Sequence, residues 1–145
     1  MKLILLFLLI SSTTYCQQEE KAVKLHVNST ELQVTAQNGG WTKWSTLGKM
    51  NDELDQTITI NFTKKTFVSD YKLKESERKF YTYRIVNYSH DKTLGDFGFY
   101  ITTMKVEEAD NKIIDYKLTY SGCNGEYILI TYTSSVRTRY FLTEL

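Results

Sequence analysis

The alternation from Ile114 to Tyr120 constrains this chain more than any other feature. Ile114, Tyr116, Leu118 and Tyr120 alternate with Asp115, Lys117 and Thr119. Successive side chains of a β-strand point to opposite faces, so this stretch reads as a strand with one buried face. Ser121-Gly122-Cys123-Asn124-Gly125 follows, and then a β-rich run from Tyr127 to Thr133. Asn-Gly tolerates the positive φ that tight hairpin turns need, so the two runs predict an antiparallel hairpin.

The same pattern runs through the rest of the chain. Val23, Leu25 and Val27, then Leu32, Val34 and Ala36, predict one broken strand or a hairpin, with a turn at Gln37-Asn38-Gly39-Gly40. Gly48 to Gln56 is polar and reads as a loop or a short helical turn. Its acids lack the spacing of a calcium loop. From Thr57 to Thr63, Ile58, Ile60 and Phe62 form an inward face, and Lys64-Lys65 is expected to turn the chain into a return strand. Phe80 to Tyr88 is aromatic on both faces, which suits a covered strand or one lining a cavity. Ser89-His90-Asp91 is expected in a loop, because adjacent residues cannot converge as nucleophile, base and orienter. Phe97, Phe99 and Ile101 hold one phase and Met104 and Val106 the other, so a β-bulge is predicted at Thr102-Thr103. Proline is absent, and Gly, Asn, Asp and Ser carry the turns. The fold class is therefore all-β: an up-and-down antiparallel meander of about eight to ten short strands, closed or partly closed as a barrel, with a β-sandwich as the alternative.

Met1-Lys2 followed by the apolar run Leu3 to Ile10 and small polar residues has the layout of a secretory signal peptide. As a helix that run spans about 12 Å, short of the roughly 30 Å hydrocarbon core. Residues 1–16 are expected to be cleaved, leaving 17–145 as one all-β domain, periplasmic or secreted. The alternative is a lipid anchor at Cys16, although Tyr15 is large for the residue before a lipidated cysteine. Without Lys2, the basic residues equal the 17 acidic ones. A neutral chain lacks the basic stripe that nucleic acid requires. Loss of Cys16 leaves Cys123 without a partner thiol in the same chain.

Trp41 and Trp44 are three apart, so in a regular strand one faces the core and the other the outside. Gly39-Gly40-Trp41 resembles the G-x-W motif that opens the lipocalin barrel. Ile114-Asp115-Tyr116 is similar to that family's T-D-Y motif, and Arg137 or Arg139 lies on the last strand, where lipocalins set an arginine against the first-strand tryptophan. The resemblance covers Trp41 to Leu145. It implies a barrel that binds a small apolar molecule, with Trp41, Arg137 and Arg139 structural. The chain also resembles small exported bacterial proteins in which a W-x-x-W strand precedes an I-x-I-x-F strand.

His26 and His90 stand on separate elements, and no phosphate loop or nucleophile motif is present, so neither a metal, a cofactor nor a catalytic residue is predicted. Two binding functions are expected instead. A carrier of a small apolar ligand would use strand aromatics that face inward, with Trp44, Tyr83, Tyr100, Tyr116 and Tyr132 as candidates; these could equally be ordinary core. A protein-binding module, such as a secreted inhibitor or surface component, would have a filled core and an exposed aromatic patch near Trp41 and Trp44.

Overall fold

The computed structural model describes residues 22–47, 52–91, 99–122 and 124–145. The expected leader, Cys16 and Cys123 lie outside them. Among the described residues nine strands are formed: β1 (Val23–Val34), β2 (Ser45–Thr46), β3 (Leu54–Asn61), β4 (Thr66–Leu73), β5 (Lys79–Asp91), β6 (Phe99–Glu107), β7 (Ile113–Ser121), β8 (Glu126–Tyr132) and β9 (Val136–Glu144). From β3 to β9 each strand pairs antiparallel with the next, β1 pairs with β3, and β9 returns to pair with β1. Eight strands thus close a meander barrel, and β2 is an extra short strand on the edge of β1. Closure removes the free sheet edges that a sandwich of these strands would have to protect.

The interior is set by alternation. Leu25, Ile58, Ile60, Phe67, Ile85, Met104, Val106, Leu118, Leu129 and Leu142 are buried together. Burying each large aliphatic side chain stabilises the fold by about 1.5–3 kcal/mol. The outer wall carries charge instead. Arg84 pairs with Glu107 at 2.6 Å, Lys105 with Asp115 at 2.9 Å, and Arg78 with Asp70 at 2.7 Å. An apolar core inside a charged wall is the reverse of a barrel embedded in lipid. Among the described residues no helix is long and apolar enough to cross a membrane.

Several local expectations are corrected. The predicted bulge at Thr102-Thr103 does not form, since β6 pairs with β7 without a break from Phe99↔Ser121 to Glu107↔Ile113. The register shift lies on the neighbouring strand, between Ile85 and Asn87, and a second one lies on β1 between Val27 and Ser29. Thr102 takes the inward phase with Met104 and Val106, and its hydroxyl lies 2.8 Å from His90 Nδ1, which offsets its burial. Ser89-His90-Asp91 belong to β5 and not to a loop, because they pair with Thr103, Thr102 and Ile101 of β6. The strand expected from Thr57 starts at Leu54, within the stretch read as loop. The Lys64-Lys65 turn widens to 62–65, with Lys65 at φ 53° and Asn61 Oδ1 accepting from Lys64 N–H at 2.8 Å. Residues 23–34 form one bulged strand, as the broken-strand reading expects. Gly39 takes φ 81° and Gly125 φ 69°, where the turn sequences require left-handed backbone.

Candidate functional site

An antiparallel meander gathers alternate connections at each end of the barrel. Residues 35–47, which follow β1, and the turns 74–78, 108–112 and 133–135 share what is here called the upper end. There the wall opens. β1 pairs with β3 only from Val23 to His26, and above that point the two strands part. β2 takes over the freed edge of β1 at Glu31 and Leu32, and Leu47 N–H donates to Thr30 C=O at 3.2 Å. The parting leaves an open cup of about 430 Å³, lined by Thr30, Leu32, Leu47, Leu54, Gln56, Tyr71, Leu73, Thr138 and Tyr140.

Below the cup lies an inner chamber of about 120 Å³, which shares Gln56 and Tyr140 with it and adds Ile58, Phe67, Ser69, Tyr83, Glu108, Tyr116 and Leu129. Its chemistry is aromatic and hydroxyl-rich. Tyr83 of the chamber continues through the exposed Tyr81 to Tyr71 of the cup as one stack, with centroids 6.2 and 5.8 Å apart and planes within 10 and 8° of parallel. Gln56 Nε2 donates to Ser69 Oγ at 3.0 Å. Tyr116 donates to Glu108 Oε1 at 2.5 Å. Burial first, and then this bond to Glu108, raises the Tyr116 hydroxyl far above the ordinary tyrosine range. Burial, with the Glu108 charge second, pushes Tyr140 up to about 12 and also raises Tyr83.

The candidate lining residues therefore divide. Tyr83 and Tyr116 face the inner chamber together. Tyr100 is 46% exposed at the lower end, stacked on Tyr120. Trp44 and Tyr132 lie on the outer wall, because Tyr132 has the phase opposite to the inward Thr131 and residues 42–44 are not strand. Outside a strand the period-two rule lapses, so the expectation of one inward and one outward tryptophan fails. Both lie against arginines of β9: Arg137 sits 4.0 Å from the Trp41 ring centroid and Arg139 4.3 Å from that of Trp44. Arg137 also approaches Tyr132, at 5.5 Å, and Arg139 Nε donates to Glu31 at 2.9 Å. Each stacked cation contributes about 0.5–2 kcal/mol, and together they fasten the 35–47 segment to the closure seam.

Sequence reasoning missed Gln56, Tyr71, Glu108 and Tyr140. Tyr71 and Tyr140 were readable as strand aromatics, but which phase faced the cup depended on register. Glu108 follows β6 in a turn, and no periodicity marks a turn side chain that folds inward. Comparison with known proteins adds no relative: no family model matches the chain, and no curated protein matches it.

Proposed function

We propose that this chain is an exported, lipocalin-like carrier that takes one small apolar molecule at the upper end of its barrel. The observation that carries the reading is the cup. Its about 430 Å³ falls within the roughly 300–1,000 Å³ range of small-molecule sites. Leu32, Leu47, Leu54 and Leu73 supply its apolar wall, and Thr30, Gln56, Tyr71, Thr138 and Tyr140 bring polar groups to it. Beneath the inner chamber the aliphatic core fills the barrel, so the ligand enters from the upper end and does not pass through. The Arg137–Trp41 stack supports the likeness to lipocalins, although Trp41 lies in the connection after β1 and not on the first strand. Export rests on the leader-like residues 1–16.

Binding of a protein partner is the second reading. It is favoured by the apolar rim of the same end, where Val34, Phe80 and Ile113 are 43, 66 and 53% exposed. Native mass spectrometry of the protein purified from its own host separates the two. The carrier predicts a retained molecule of a few hundred daltons at one per chain. A clean polypeptide mass together with a co-purifying protein would favour the partner.

A further inference from the structure

Glu108 is the one charged residue among those that line the cup and the inner chamber, and no Lys, Arg or His joins it among the described residues. Its carboxylate is half-buried, and its side-chain hydrogen bond comes from a neutral donor, the Tyr116 hydroxyl. A partly buried carboxylate bonded only by a neutral donor keeps an oxygen that can accept from a cation. Tyr83, Tyr116 and Tyr140 surround it in the same chamber. The face of each ring is the negative end of its quadrupole. Glu108 is the chamber's one formal charge among the described residues, while the cup above adds Leu32, Leu47, Leu54 and Leu73.

We propose that the ligand is an amphiphilic amine: an ammonium head held in the inner chamber between Glu108 and the tyrosine rings, with an apolar body in the leucine-walled cup. This rests on the carrier reading and narrows it. The chamber is small, about 120 Å³, so it holds the head and its nearest carbons only. Tyr116 fixes the carboxylate through Oε1 and leaves Oε2 to accept from the ammonium. The arrangement also selects against fatty-acid-like anions, whose carboxylate would meet Glu108 with like charge.

The test is a set of titrations at neutral pH with hexylammonium, 1-hexanol and hexanoate, each read by displacement of a bound environment-sensitive apolar dye. The expected order is hexylammonium tighter than hexanol by about tenfold or more, given the combined worth of a charge-assisted hydrogen bond and cation–π contact, and hexanoate weakest. Glu108→Gln should reduce the ammonium-to-alcohol ratio to about one. That variant keeps a carbonyl acceptor for Tyr116, and a thermal melt checks its fold. Tyr83→Leu, which removes a ring and keeps the acid, should narrow the ratio without erasing it. Equal binding of hexylammonium and hexanol, or a preference that survives Glu108→Gln, overturns the inference and leaves the apolar carrier standing. Failure of the dye itself to bind overturns both.

Discussion

Replacing Leu142 by alanine will lower the stability of the fold by about 2–5 kcal/mol, the range for deleting a fully buried leucine side chain. Leu142 is 1% exposed and pairs with Tyr127 on one side and Val27 on the other, so it sits at the seam where β9 meets β1. Its side chain cannot be replaced by water, because the neighbouring Leu25 and Leu129 are themselves fully buried and the surrounding wall is continuous sheet. Thr143 points outward from the next position, and Thr143→Ala should change stability by less than about 0.5 kcal/mol. Urea unfolding followed by circular dichroism measures both. A Leu142→Ala effect no larger than that of Thr143→Ala would mean that the barrel does not close along this seam.

The second large effect is alkaline destabilisation. Unfolded tyrosine ionises near pH 10, whereas burial and the Glu108 charge hold Tyr140 protonated up to about 12. Tyr116 is held protonated further still, first by burial and then by its bond to Glu108. Burial, followed by a hydrogen bond to Glu144, brings Tyr127 to about 12 as well. The folded state thus retains protons that the unfolded chain has released. The slope of stability against pH is negative in this window, so the contribution is complete below about pH 10 and drains away as the pH climbs toward 12. Tyr140 alone accounts for about 2–3 kcal/mol of that loss. Urea midpoints at about pH 9 and pH 12 measure the loss. Tyr140→Phe should shrink it, since phenylalanine has no proton to lose. A midpoint that does not fall across this range would contradict the buried placement of the cluster.

How much could be read in advance follows from where each signal lives. The β7–β8 hairpin was legible because Ile114, Tyr116 and Leu118 alternate without interruption and the turn ends in Asn124-Gly125. Meander order followed from short connections. The bulges were not legible. Val86 and Asn28 interrupt their strands through pairing with a neighbour, and the phase change that the sequence does display, near Thr102, is absorbed by a buried threonine with a histidine partner. Placing Tyr83 and Tyr116 inside needed only the local phase. Placing Trp44 and Tyr132 outside needed the register between β7, β8 and β9 and the irregular path after Gly40. The cup itself arises because β1 and β3 part company above His26, a property of two strands that neither one announces alone. Glu108 illustrates the same limit, being a turn residue whose role comes from what the closed barrel places around it.

The central claim, that the upper end of the barrel is a binding site for one small apolar molecule, is tested most directly by a dye titration on two proteins. Leu54 opens β3 and lines the cup, half-buried, at a point where a larger side chain projects into the open space. An apolar fluorescent dye should bind the natural protein saturably at one per chain. It should bind Leu54→Trp at least about tenfold more weakly, because the indole occupies the volume the dye needs, while both proteins melt alike. Equal affinity for the two proteins, or no saturable binding to the natural one, would contradict the claim.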